Sequence, residues 1–205
     1  TSSTSRTEDE LWPHMKLFFQ ESQIDSQSIK GTVISSVVPK LTELFTLTVL
    51  KYLHTEPVII TGDLPTGLTV RYDDPTKLGA DRLCNAVAAH ERFGGPAIII
   101  DYGTAITYDC ISKAGEFIGG VIAPGVETAA AGLMRRTAKL PQVQLEFPEK
   151  VIGTNTVACM QSGIMYGALD ASEGMIRRLK VMMGNSTTVI ATGGYSQILA
   201  NASTL

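Results

Sequence analysis

The sequence predicts an α/β fold in which one structural unit occurs twice, the first copy lacking its opening strands. Three observations carry this. The run Ala97-Ile98-Ile99-Ile100 is short, β-branched and free of polar residues, which reads as a strand buried on both faces. From that run onward the chain reads strand, strand, strand, helix, helix, strand, helix. The part before it reads helix, strand, helix, strand, helix, matching a copy without the first three strands. The boundary between the copies is expected near Phe93-Gly94-Gly95, giving an N-terminal domain over 1–94 and a C-terminal domain over 95–205.

Each element has a local reason. Thr7-Glu8-Asp9-Glu10 fits a capping box that opens a helix with Leu11, Met15 and Phe18 on one face. Thr32 to Val38 reads as a strand, and Pro39 starts a second helix to about Tyr52, proline being well tolerated at the first helical position. Pro57 to Thr61 is a short buried strand, and Leu68 to Tyr72 an edge or hairpin strand. A helix from about Gly79 to Arg92 follows Asp74-Pro75. After the apolar run, Ala105 to Ile111 is a second strand, so Tyr102-Gly103-Thr104 forms a tight hairpin turn. Lys113-Ala114-Gly115 turns the chain into Phe117 to Ile122. A helix from about Val126 to Arg136, a loop from Pro141 to Lys150 and a long helix from Thr156 to about Met183 come next. Thr187 to Thr192 is a strand, Gly193-Gly194 a turn, and Tyr195 starts a last helix.

Composition narrows the class. At 205 residues, with 44% hydrophobic and 18% charged residues, the chain is globular and large enough for a real core. The net charge of −3 and the lack of a Lys/Arg-rich run argue against nucleic acid or an anionic membrane as partner. No apolar stretch reaches the roughly 20 residues that span a bilayer, and no secretory leader is visible. Cys84, Cys110 and Cys159 are odd in number and scattered, which reads as reduced thiols in a cytoplasmic protein. The three histidines are far apart, against a zinc site. Because the chain begins without methionine in the polar segment Thr1-Ser2-Ser3-Thr4-Ser5, it is expected to be a piece of a longer protein.

The segment from Asp101 to Thr107 is the most informative for chemistry. Gly103 lets a backbone turn approach a ligand closely, so its N–H groups and the Thr104 and Thr107 hydroxyls can face a phosphate. Asp101, at the strand end, is placed to hold a hydrated cation beside it. The bland alternative is a plain hairpin whose Asp accepts turn N–H bonds. In Gly79-Ala80-Asp81-Arg82, Arg82 offers planar donors for a carboxylate or carbonyl, and Asp81 can accept a hydroxyl proton during phosphoryl transfer. Here the alternative is an N-cap and a surface ion pair. Gly153-Thr154-Asn155-Thr156 caps the long helix or touches a ligand. Along that helix Val157, Met160, Ile164, Leu169, Ile176 and Leu179 supply either a dimer contact or internal packing. Thr192-Gly193-Gly194 lets a ring or phosphate lie against the backbone, although Gly-Gly after a strand is also ordinary turn chemistry. Gly119-Gly120 and Pro124-Gly125 are weak signals for the same reason. Walker A spacing, a GxSxG elbow and HExxH are all absent from the sequence.

Together these stretches resemble the type III pantothenate kinases, members of the actin-like, sugar kinase and heat-shock ATPase superfamily. The matching segments are Tyr72-Asp73-Asp74-Pro75, Gly79 to Ala86, Asp101-Tyr102-Gly103-Thr104-Ala105, Gly119 to Gly125, Gly153 to Thr156, Met160-Gln161-Ser162-Gly163 and Ala191-Thr192-Gly193-Gly194, in the family's order. The resemblance implies duplicated actin-like (ribonuclease H-like) domains with mixed sheets flanked by helices, the first copy truncated. It implies transfer of the ATP γ-phosphate to the hydroxyl of pantothenate, the first step toward coenzyme A. By position, Asp81 would be the general base, and Tyr72 with Gly79, Ala80, Asp81 and Arg82 would line the pantothenate pocket. Thr156 would contact pantothenate across a homodimer interface. Asp101 would bind potassium or ammonium, Gly103, Thr104 and Thr107 would face ATP phosphate, and Gly193 and Gly194 would form the adenosine-side turn, with Mg2+ accompanying ATP. The family also opens with an Asp-x-Gly-Asn-Thr hairpin that would precede Thr1, and a last strand and helix that would follow Leu205. The chain without them is therefore expected to bind ATP poorly, and the natural protein to carry them. Two competing expectations stand beside the kinase: a regulatory accessory protein of the same family, and a superfamily phosphotransferase with another acceptor.

Overall fold

The computed structural model describes residues 6–136 and 140–204, so the polar opening segment Thr1–Ser5 and the end at Leu205 lie outside the described residues. It is a mixed α/β structure whose chain divides into two compact units. One comprises the residues up to Thr66 together with Asp74–Cys84, and the other Gly67–Asp73 together with Asn85 onward.

In the first unit, α1 (Glu8–Glu21) starts where the capping box places it: the Thr7 N–H donates to Glu10 Oε2 at 2.9 Å. Glu8, Asp9 and Glu10 face the positive end of the helix dipole. The helix is held to α2 (Pro39–Tyr52) by the Trp12 ring stacked on Tyr52 at 4.7 Å and by Asp9, which accepts from both Lys51 and the Tyr52 hydroxyl. The Lys51 ammonium, and after it the Tyr52 hydroxyl, hold the Asp9 carboxyl below its ordinary value. β1 (Val33–Ile34) and β2 (Val58–Ile59) form a parallel pair, each much shorter than the runs 32–38 and 57–61 predicted from sequence. A polar side chain ends the first strand early, and a backbone turn ends the second. The Ser36 hydroxyl bonds the Val38 amide and carbonyl, turning the chain toward Pro39, and the chain after β2 folds into a turn closed by the Leu64 N–H on the Thr61 carbonyl.

The second unit contains a five-stranded sheet. β4 (Ala97–Tyr102), β5 (Ala105–Ile111) and β6 (Glu116–Pro124) form an antiparallel meander. β7 (Thr188–Thr192) runs parallel to β4, and β3 (Thr69–Val70) parallel to β6, giving the order β3-β6-β5-β4-β7. β3 is thus an edge strand, and its parallel pairing excludes the hairpin alternative. Ile98, Ile99 and Ile100 are at most 1% exposed, which explains the unbroken apolar run. α4 (Val126–Arg136), α5 (Thr156–Met183) and α6 (Ser196–Ala202) supply the helical side of the core. Met160, Ile164, Leu169 and Ile176 of α5 are buried in that core with Ile98, Ile100 and Leu199, so internal packing uses most of the apolar stripe, while Val157 stays exposed. Tyr108 shares a 2.9 Å hydrogen bond with the buried Ser172 hydroxyl, and burial pushes its phenol above the ordinary value.

The stretch after α6 is tied to α5 by one carboxylate. Glu173 accepts from the Thr204 N–H and the Ser203 hydroxyl, each at 2.9 Å. The Thr204 amide foremost, then Ser203, holds the Glu173 carboxyl below its ordinary value of 4.5. A depressed carboxyl stabilises the fold above its unfolded value and loses that contribution as the pH falls. Glu173→Gln is therefore expected to lower the melting temperature at pH 7, with the difference closing as the pH drops through 4.5 and below. An equal difference at pH 7 and pH 3 in thermal melts excludes the charge as its cause.

Candidate functional site

The Tyr102-Gly103-Thr104 turn joins β4 to β5 in the second unit, as the sequence predicts. The Gly103 N–H donates to the Ala105 carbonyl at 3.0 Å. The Thr104 carbonyl accepts from the Gly125 N–H at 3.0 Å and from the Thr128 hydroxyl at 2.6 Å. The segment leading into α4 therefore clamps the back of the turn and leaves Thr104 exposed at its tip. A side chain at residue 125 would run into the Gly103 and Thr104 carbonyls, so only glycine permits this contact. The sequence offered Pro124-Gly125 as a weak signal; its function is to let two backbones touch.

Asp101 sits half-buried at the end of β4, opposite Thr107 of β5 and beside Thr192 of β7. Its Oδ2 accepts from the Asn85 side-chain amide at 2.9 Å. On its other side lies Gly193, with φ of +91°, where a Cβ would meet Asp101 Oδ1 and lie 2.6 Å and 2.7 Å from the Tyr102 N and O. The Tyr195 N–H reaches the Tyr102 carbonyl at 3.3 Å, completing the seam between the two turns. Asp101, Gly103, Thr104 and Gly193 are thus brought together, and Gly194 follows with open space where a Cβ would sit. Thr107 points along β5, its hydroxyl 3.4 Å from Oδ2 of the fully buried Asp109. Asn85 is the residue that sequence reasoning missed: it lies inside the Gly79–Ala86 stretch, but its partner is 16 residues away.

Gly79 to Arg82 form a separate cluster in the first unit, at the start of α3 (Ala80–Phe93). The Leu83 N–H donates to the Gly79 carbonyl at 3.0 Å, and Asp81 Oδ1 accepts from the Arg82 N–H at 2.8 Å. Asp81 is exposed, and a Cβ on Gly79 would come within 2.6 Å of its Oδ1, so glycine there keeps the carboxylate in place. Ala80 and Arg82 are buried, Arg82 being 7% exposed, which corrects the surface ion-pair alternative. A cleft of about 560 Å³ opens beside this helix start, lined among others by Gly79, Ala80, Lys77, Thr61 and Thr42.

The remaining candidates stand on other elements of the second unit. The Tyr72 ring lies 6.1 Å from that of Phe117, in the chain just after β3. Thr156 is the exposed first residue of α5, and its neighbour Asn155 caps the helix, with Oδ1 accepting from the Ala158 N–H at 2.9 Å. The capping reading of this segment therefore holds for Asn155 and leaves the Thr156 hydroxyl exposed.

Among the described residues no three His, Cys, Asp or Glu side chains gather into a metal cage. The donors at the turn are all oxygens: one carboxylate, a threonine hydroxyl and carbonyls. That set suits a hard cation better than a soft one. No helix of the described residues is long and apolar enough to cross a membrane.

Comparison with known proteins gives this geometry a family. A family model described as type III pantothenate kinase matches residues 1–178. A protein of that name from Moorella thermoacetica is 44% identical over 198 residues, covering 97% of this chain and 78% of its own length. Another from Roseiflexus castenholzii is 44% identical over 200 residues, covering 98% and 78%, and one from Halalkalibacterium halodurans is 42% identical over 204 residues, covering 98% and 80%. A crystal structure of a Baf family protein from Campylobacter jejuni aligns with a TM-score of 0.56 at 19% identity, over 90% of this chain and 77% of that one, which establishes a shared fold. With the model spanning most of its residues and relatives above 40% identity along nearly all of it, this chain belongs to the type III pantothenate kinase family.

Proposed function

We infer that the protein is an ATP-dependent kinase that phosphorylates the hydroxyl of pantothenate, the first step of coenzyme A biosynthesis. The observation that carries this is the Asp101–Thr104 turn, clamped by Gly125 and closed by Gly193, in a chain of this family. Phosphoryl transfer asks a protein mainly for positioning and charge stabilisation, and a clamped turn with an exposed threonine beside a carboxylate offers both.

In this reading Asp81 accepts the proton of the attacking hydroxyl, a task suited to an exposed carboxylate fixed by one backbone N–H. Gly79, Ala80 and Arg82, with Tyr72, bind and orient pantothenate. Gly103, Thr104 and Thr107 face the ATP phosphates, and Gly193 and Gly194 lie against the adenosine side. Mg2+ bound with ATP supplies charge neutralisation on the phosphate oxygens. Asp101 holds a monovalent cation, potassium or ammonium, next to them. We also read the protein as a cytoplasmic homodimer in which Thr156 reaches pantothenate near the interface, its exposure at the start of α5 agreeing with that role. The duplicated actin-like plan, with halves 1–94 and 95–205, draws support from two features. The meander β4-β5-β6 takes the parallel strand β7 beside β4, and a strand followed by a helix occurs in both halves, as β1-α2 and as β7-α6.

A coupled ADP-release assay on the full-length protein tests this reading. ADP release is expected only with pantothenate present, and to rise with potassium or ammonium. Release independent of pantothenate, or dependent on a different alcohol, overturns it in favour of another acceptor.

A further inference from the structure

Asp101 is bounded on two sides. Gly193 leaves room for Oδ1, and Oδ2 takes a 2.9 Å hydrogen bond from the half-buried Asn85 on α3. An ionised carboxylate only accepts, so the Asn85 amide presents its NH2 to Asp101 and its carbonyl dipole points away. The choice of donor matters chemically. A lysine or arginine here would fix the carboxylate and also cancel its charge. A neutral amide fixes the rotamer and leaves the negative charge in place for a cation. Without that donor, Asp101 is free to rotate about its terminal torsion, which is broad and roughly two-fold for aspartate. The partners come from different elements, α3 and β4, so the bond also ties the orientation of the carboxylate to the packing of α3.

We propose that Asn85 is a positioning residue for the cation site, orienting the Asp101 carboxylate without neutralising it. The proposal rests on the reading of Asp101 as the monovalent cation ligand. Its effect falls on cation affinity. Turnover at saturating cation and the use of pantothenate depend on other groups.

The test compares the wild type, Asn85→Ala, the volume-matched Asn85→Leu and Asp101→Asn in the full-length protein. Two readouts are followed: the potassium concentration giving half-maximal turnover, and the potassium-specific rise in melting temperature with Mg2+ and a non-hydrolysable ATP analogue, against tetramethylammonium chloride at equal ionic strength. Both Asn85 variants are expected to raise the half-saturating potassium at least tenfold and to shift the melting response by the same factor. Their kcat at saturating potassium stays within threefold of wild type, and their pantothenate KM within twofold. A loss of kcat that potassium does not rescue overturns the proposal, since a merely structural residue behaves that way. So does an unchanged potassium midpoint in both Asn85 variants when Asp101→Asn abolishes the potassium response, an outcome that leaves the Asp101 reading standing. A full potassium response in Asp101→Asn overturns both.

Discussion

Asp81→Asn is expected to lower kcat by about 10²–10⁴-fold, the usual contribution of a positioned general base, while the KM values for ATP and pantothenate change less than threefold. The substitution is clean because the fold uses only the acceptor capacity of this side chain. Asp81 Oδ1 accepts the Arg82 N–H at 2.8 Å, and an asparagine Oδ1 can take the same bond. What is lost is the carboxylate that, in the proposed mechanism, takes the hydroxyl proton. Steady-state kinetics on the full-length protein, with a thermal melt to verify folding, decides the matter. A kcat within threefold of wild type removes Asp81 from the base role and leaves the regulatory alternative as the stronger reading of that carboxylate.

The second large effect is expected from Gly193→Ala. Two costs coincide there. The backbone at +91° is a conformation that L side chains rarely adopt, and a Cβ would press on the Tyr102 backbone and Asp101 Oδ1. Those neighbours cannot yield, because Asp101 lies in register with Thr192 of β7 and Thr107 of β5. A destabilisation of about 2 kcal/mol or more is expected, which for a chain of this size is about 4–8 °C in melting temperature. The ATP KM is expected to rise at least tenfold, since any relief moves the Asp101–Thr104 turn. Gly194→Ala is the internal control for stability: its Cβ meets open space, and the melt stays within about 0.5 kcal/mol of wild type. Equal melts for the two alanine variants contradict the contact argument at residue 193.

How much of this was legible beforehand follows from which interactions are local. Thr7 with Glu10, Pro39 at a first helical turn and Asn155 before a long apolar-striped segment each act within four residues, so the start of α1 and nearly the whole of α2 and α5 were predictable. The Tyr102-Gly103-Thr104 turn was legible because its two strands are adjacent in sequence. β1 and β2 were overextended, since nothing in 32–38 or 57–61 reveals that side-chain bonds and turns end the ladder after two residues. The parallel partner of β3 lies more than 40 residues away, and the burial of Arg82, which the surface ion-pair alternative left out, is not encoded in its neighbours.

By itself the sequence determined the α/β class, the order of elements and the hairpin turn that follows Asp101. Capping, strand patterning and turn chemistry act over a few residues, and the chain displays them directly. Only the tertiary structure decided what holds Asp101. Asn85 reaches it by virtue of where α3 lies, and Gly193, 92 positions further on, reaches it through the parallel pairing of β7 with β4. Such contacts depend on the burial of whole helix and sheet faces, which fixes register and packing long after local propensity has chosen the elements.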